Sequence, residues 1–324
     1  MKRSIYITVF LLVSLCAFAD TYNLSKKEQQ QIAREAENWI DDMPEGLQDR
    51  LSDAVSHALH GFYNEINYYR NSGDTTGISK YKVDIKAIPG GKLGEIPMRL
   101  YSSTSKNDVP ILIYFHGGGW SLGSMETTDK FCRALASEGN VKVISVEYPL
   151  APENAYPGAV KQCIDAVEYI ADQYKELGFD PTKMSMGGDG AGGNLALESF
   201  SKLPGEVSIK SLVLFYPLIK TSGPLDPTSQ REFGRGYGFD SRLWEAFISA
   251  YKHNSSYLSD INLPPTLLIS AGRDIIIDQV KDFSYTSNVT YVEFEGALHG
   301  FITDGHQNAA FSKSVALTDY FLTH

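Results

Sequence analysis

Two glycine-rich stretches, each following an apolar run, hold the first residues in this sequence that could do chemistry. The run Ile111 to Phe115 passes straight into His116-Gly117-Gly118-Gly119-Trp120. Three glycines after a strand let backbone N–H groups converge on one small volume, which an oxyanion developing in a transition state requires. A flexible turn is the simpler alternative, but a bare turn has little use for three glycines between a histidine and a tryptophan. The second run, Met184 to Gly187, leads into Gly188-Asp189-Gly190-Ala191-Gly192-Gly193-Asn194 and then a helical pattern. This is the frame of a nucleophile elbow, G-x-S-x-G, with its middle residue altered. In such an elbow a strand turns abruptly into a helix and lifts the middle side chain to the helix N-terminus. The N–H of Ala191 would complete an oxyanion hole, but Gly190 has no side chain to lift. Ser185 cannot substitute, because it lies within the strand. Asp189 is adjacent, with a side chain expected to point away from the reacting position. Trp120 and Asp189, beside the two motifs, are the candidate substrate-pocket residues.

The glycine also creates G-x-G-x-x-G at Gly188, Gly190 and Gly193, between a strand and a helix, which is the dinucleotide-binding fingerprint. That motif expects an acid at the end of the next strand to hold a ribose. The next strand ends Phe215-Tyr216-Pro217 without one, and the fingerprint leaves the glycine loop at His116 unexplained. No nucleotide cofactor is expected.

The elements that must position these loops are legible as periodicity. Near the start, Ser25 with Glu28 forms a capping box, and Ile32, Ala36, Trp39 and Ile40 repeat at helical spacing. After Pro44 and Gly46, Leu47, Leu51, Ala54, Ala58, Phe62 and Ile66 predict a second helix. Both faces need a surface to lie on: the main domain, or the entrance to a site. From Tyr81 the period becomes two: Tyr81, Val83, Ile85 and Ala87 alternate with polar residues, Pro89-Gly90-Gly91 turns the chain, and Ile96, Met98 and Leu100 alternate again. An antiparallel pair with one wet face follows. Beyond it the strands become continuous apolar runs (Ile111 to Phe115, Val143 to Val146, Leu212 to Phe215, Leu267 to Ile269) separated by helical patterns such as Ala159 to Tyr174. Buried strands alternating with helices predict a mostly parallel sheet flanked by helices on both faces. Residues 218 to 260 interrupt the alternation with prolines, glycines and aromatics such as Phe233, Tyr237, Phe239, Trp244, Phe247 and Tyr251; a lid over the strand ends and packing filler both suit that composition.

The segments His116 to Trp120, Glu147-Tyr148-Pro149-Leu150-Ala151-Pro152-Glu153, Gly188 to Asn194, Asp274 in Ala271-Gly272-Arg273-Asp274, and His299-Gly300-Phe301 occur in the order seen in hormone-sensitive-lipase-like esterases. From about residue 80 to the C-terminus the chain resembles that family. The resemblance implies an α/β-hydrolase fold with an N-terminal helical cap (residues 20–75), a hydrolase domain (76–324) and a short lid insert (218–260). It also implies ester hydrolysis by a Ser-Asp-His triad: Gly118, Gly119 and Ala191 as oxyanion donors, Gly117 shaping their loop, Asp274 orienting the base, and His299 as the base. The chain departs from the family at Gly190, where the serine should stand. It is also short before Pro264-Pro265 and between Asp274 and His299.

Without the serine oxygen no acyl-enzyme can form. Three functions remain on this scaffold: slow hydrolysis of small acyl esters by water activated at His299, ligand binding without turnover, and non-hydrolytic acid–base chemistry of the dehydratase or lyase type. The resemblance implies a small-molecule ligand or ester substrate as the partner, and the bulk numbers argue against other classes. A formal charge of -10 in 324 residues argues against nucleic acid and anionic membranes. Lys2 and Arg3, the apolar run Ile5 to Cys16, and Ala17-Phe18-Ala19 before Asp20 read as a cleavable leader (1–19), too short to span a bilayer, so the expectation is secretion or a periplasmic location. Of the 3 cysteines, Cys132 and Cys163 lie beyond the leader in apolar helical patterns, which predicts buried free thiols rather than a bridge. No Cys/His cluster has metal-ligand spacing, so neither metal nor cofactor is expected.

Overall fold

A computed structural model of the chain describes residues 22–70, 75–88, 96–222, 224–253 and 261–324. The leader and the Pro89-Gly90-Gly91 turn lie outside the described residues. Eight strands form one sheet in the order β1-β2-β4-β3-β5-β6-β7-β8: β1 (Asp84–Ile88), β2 (Met98–Ser102), β3 (Ile111–Phe115), β4 (Lys142–Val146), β5 (Met184–Asp189), β6 (Ser211–Phe215), β7 (Thr266–Arg273) and β8 (Val289–Leu298). Only β2 runs antiparallel to its neighbours, and β3 to β8 are parallel.

The continuous apolar runs are explained by the two cores they serve. Along β3, Ile111, Ile113 and Phe115 face one cluster while Leu112 and Tyr114 face the other. Leu212 and Leu214 of β6 likewise oppose Val213 and Phe215. Every residue of such a strand is inside because side chains alternate across the sheet and both faces are covered. One face is covered by α5 (Gly158–Asp172), α7 (Ala191–Phe200) and α10 (Ile277–Ser284), the other by α1 (Lys26–Asp42), α4 (Asp129–Ser137) and α11 (Asn308–Thr323). Cys132 and Cys163 are free and buried in separate cores.

Helix α1 opens with the expected capping box: Ser25 accepts from the Glu28 N–H and the Glu28 carboxylate accepts from the Ser25 N–H. Those bonds lower the Glu28 carboxyl to about 2. The helix lies along edge strand β8, where the Gln29 amide donates to the Glu293 carbonyl (2.8 Å) and accepts from the Glu295 N–H (3.0 Å). One side chain thus satisfies two groups of an otherwise open edge.

Two local expectations are corrected. The helix from Leu47 toward Ile66 is two helices, α2 (Leu47–Ala58) and α3 (Asn64–Arg70). Gly61 at φ +86° turns the chain between them and leaves Phe62 70% exposed. The alternating strand from Tyr81 begins only at Asp84, and Ile85 and Ala87 lie outside. β1 is an edge strand paired on one side alone, so its alternation has no core to face.

Candidate active site

The glycine loop after His116, expected to hold an oxyanion, leaves the C-terminal end of β3 and the elbow leaves that of neighbouring β5. The helices that follow, α4 and α7, lie on opposite faces of the sheet. The crevice between those strand ends is a topological switch point, where open α/β sheets bind ligands.

Gly190 sits between β5 and α7 with φ +51° and ψ −114°, a conformation L-residues rarely adopt. Its N–H donates to the Phe215 carbonyl at 3.0 Å and its own carbonyl accepts from Leu218 at 3.0 Å. The backbone therefore keeps the abrupt turn of a nucleophile elbow. A Cβ on Gly190 would stand 3.1 Å from His299 Nε2, and among the described residues, Gly190's own chain neighbours apart, only His299 comes within 4 Å of that point.

His299 follows β8, and its Nδ1 lies 2.7 Å from Asp274 Oδ2. A carboxylate on Nδ1 fixes the proton there and leaves the Nε2 lone pair facing Gly190. Asp274 is buried after β7 and also accepts from the Ile276 N–H at 3.1 Å. The imidazole is clasped by Tyr216 and Phe239, with ring centroids 4.6 and 4.5 Å away. Asp274, His299 and the elbow turn are thus assembled in one place, although residues 274 and 299 reach it from separate strands.

In the loop, Gly118, Gly119 and Trp120 all have positive φ (109°, 58° and 58°). Among the described residues, the N–H groups of Gly118, Gly119 and Ala191 donate to no backbone acceptor outside regular helix or strand pairing. The Ala191 N–H belongs to the first turn of α7, whose N–H groups and dipole favour negative charge. His116 holds the loop rather than reacting. Its carbonyl accepts from Tyr148 at 2.6 Å, its ring stacks on Tyr148 at 4.2 Å, and Nδ1 contacts the Gly117 carbonyl at 2.8 Å. Burial lowers its pKa to about 4, keeping it neutral.

Asp189 turns beneath the loop: Oδ1 accepts from the Gly117 N–H at 3.0 Å and from the Tyr114 hydroxyl at 2.9 Å. Burial raises its carboxyl to about 6 against those two bonds and the nearby His299. Asp189 also lines the cavity, and its carboxylate braces Gly117. Trp120, expected at the pocket, is corrected. It is fully buried, and its positive φ turns the indole back to stack on Tyr251 at 4.3 Å.

The cavity over these groups is about 230 Å³. His299, Gly118, Gly119 and Asp189 form its floor, and Trp39, Met43 and Leu47 of the N-terminal helices form one wall. The insert, with α8 (Pro227–Phe233) and α9 (Ser241–Tyr251), supplies Phe239, Leu243 and Phe247. Arg242 of α9 reaches Asp49 (2.7 Å) and Asp53 (2.5 Å) of α2, so insert and N-terminal helices meet above the site. Arg70 was missed by sequence reasoning. It pairs with both oxygens of Glu153 at 2.8 Å and donates to the carbonyls of Ser121 and Ala151, each at 3.0 Å. Its one local partner is Asn67, at 3.1 Å; the Glu153, Ser121 and Ala151 contacts that tie it to the site are distant in sequence and leave no mark in its local pattern. Among the described residues there is no group of three or more His, Cys, Asp or Glu side chains suited to a metal ion. No helix among them is long and apolar enough to cross a membrane.

Residues 112–303 match the model of the family described as alpha/beta hydrolase fold, which covers more than half of the chain. The chain is an α/β-hydrolase of the hormone-sensitive-lipase-like family. This hydrolase is 31% identical over 247 residues to an arylesterase of Saccharolobus solfataricus, covering 67% of this chain and 80% of that one. It is 30% identical over 201 residues to the carboxylesterase NlhH of Mycobacterium tuberculosis, covering 61% of this chain and spanning 62% of the relative's length. Among solved structures, an esterase of Pyrobaculum calidifontis superposes with a TM-score of 0.67 at 28% identity, covering 87% of this chain and 93% of that one.

Proposed function

We propose that this α/β-hydrolase cleaves small acyl esters slowly and in a single displacement, with water as the nucleophile and His299 as the base. The observation that carries the reading is the position of His299 Nε2. It is backed by Asp274 and stands 3.1 Å from the point where a nucleophile's Cβ would begin. Water on Nε2 gives up its proton as its oxygen bonds to the ester carbon. The carbonyl electron pair moves onto oxygen, where the N–H groups of Gly118, Gly119 and Ala191 receive it. When that pair returns, the C–O bond to the alcohol breaks and the leaving oxygen takes the proton from Nε2. The oxyanion hole and substrate binding that remain when a triad member is removed are worth about 10³ to 10⁴ over water. A cavity of about 230 Å³ with apolar walls suits a short acyl group. The carboxylesterase and arylesterase relatives agree in reaction class.

The test is an assay of the native chain, His299→Ala and Gly190→Ser on short p-nitrophenyl esters. Turnover by the native chain above that of His299→Ala is expected. If the two are equal while Gly190→Ser is a good esterase, the hydrolytic reading is lost. A ligand-binding pseudo-esterase or a dehydratase-type enzyme using His299 then takes its place. We also propose export, on the leader-like residues 1–19. Mature protein beginning at Asp20 is the expected result of N-terminal sequencing, and a retained Met1 contradicts it.

A further inference from the structure

We propose that β1 is a docking edge for a second copy of this chain, the two strands pairing antiparallel about Ile85. The inference is independent of the hydrolytic reading, because β1 and the strand that leads to His299 lie at opposite edges of the sheet. Those edges are treated differently. Along β8, helix α1 packs beside the edge and the Gln29 amide satisfies two of its backbone groups. Along β1, Asp84, Ile85, Lys86 and Ala87 are all exposed. Among the described residues, no backbone group outside β2 bonds to this strand. An open edge of this kind is a template for another strand. Ile85 stands on it 37% exposed, and Tyr81, just before the strand, lines an open cleft of about 450 Å³ with Phe311, Val315 and Tyr320. That apolar surface gives a partner more to bury than one short strand.

The charge pattern selects the partner. In a two-fold pair the same patch meets its own copy. Side chains alternate across a strand, and residues opposite each other in an antiparallel pair share a face. The two-fold axis must therefore pass between a residue and its own equivalent. Centred on Ile85, the pair sets Asp84 opposite Lys86 at two places and packs Ile85 on Ile85. Centred one residue earlier or later, it sets Asp84 against Asp84 or Lys86 against Lys86, and like charges directly opposite are destabilising. The charges that guard this edge against other strands are thus complementary to themselves, in one register.

The test is sedimentation of the native chain over a concentration series, beside charge-reversed variants. A monomer–dimer equilibrium is expected. Asp84→Lys and Lys86→Asp, each alone, should weaken it about tenfold or more, because either change puts like charges opposite at both places. An equal mixture of the two single variants should dimerise as the native chain does, since each strand then meets its opposite charges. Recovery in the mixture also shows that both variants fold, and the double variant should dimerise as well. A native chain that stays monomeric at every concentration overturns the inference. So does a dimer that ignores both reversals, which places the contact elsewhere. A dimer lost in the single variants and not regained in the mixture overturns it too.

Discussion

The glycines of the oxyanion loop and the glycine of the elbow share a backbone habit but have different causes. A Cβ on Gly117 would run into the Asp189 carboxylate, one on Gly118 into the Leu122 carbonyl, and one on Gly119 into the Phe247 ring. Packing dictates glycine at all three. At Gly190 a Cβ would meet only the base, at 3.1 Å, in a turn that the Phe215 and Leu218 hydrogen bonds hold in the nucleophile conformation. The loop is glycine because nothing else fits, whereas the elbow is glycine although a side chain would fit with a small shift of His299. The turn of a nucleophile elbow is therefore kept, and what Gly190 lacks is a side chain.

The largest effect that could break this comparison comes from Gly190→Ser. With base, acid and oxyanion donors in place, kcat/KM on a short p-nitrophenyl ester should rise by about 10³-fold or more. No gain would mean that Nε2 and the elbow are not aligned. Alanine should separate the two regions by stability. Gly119→Ala adds a clash with Phe247 to the cost of a positive φ and should lose about 2–4 kcal/mol. Gly190→Ala bears the backbone cost, about 1 kcal/mol, and no clash beyond the small shift of His299. Chemical denaturation of both variants checks the difference, and equal losses contradict it. Arg70→Ala should cost about 2 kcal/mol, because Glu153 and two loop carbonyls lose a charged donor. It should also slow turnover, since Ser121 belongs to the segment that carries the oxyanion donors; unchanged turnover would detach Arg70 from the site.

The smallest effect is a pH dependence. Burial raises the Asp189 carboxyl from 3.8 to about 6, so between those values the folded chain binds a proton that the unfolded chain has released. Its contribution favours the fold at low pH and declines as pH rises through that window. Asp189→Asn removes the decline. The melting temperature of the variant relative to native should therefore climb from about pH 4 to about pH 6. A flat difference would show that Asp189 titrates as an ordinary carboxylate.

Much of this site was legible before the fold. The two glycine motifs carry their geometry with them, because a strand followed by such a run has few ways to turn. Apolar runs without alternation announced strands buried on both faces. What could not be read was set by partners far along the chain. Trp120 looked like a pocket residue, yet its direction is decided by Tyr251. Asp189 was expected to point away, and only the approach of β3 reveals Tyr114 and Gly117 as its partners. The break after α2 was hidden because Phe62 and Ile66 continue the helical apolar pattern across Gly61.

Under the proposed mechanism His299 acts on a nucleophile from solution and the chain is never acylated. This is tested most directly by following p-nitrophenol release from the first turnover, with intact-mass analysis of the same samples for native and His299→Ala. The account predicts a linear onset without a burst, an unmodified mass, and a rate that falls at least about tenfold in His299→Ala. An acyl adduct on the native chain, or a rate unmoved by His299→Ala, would contradict it.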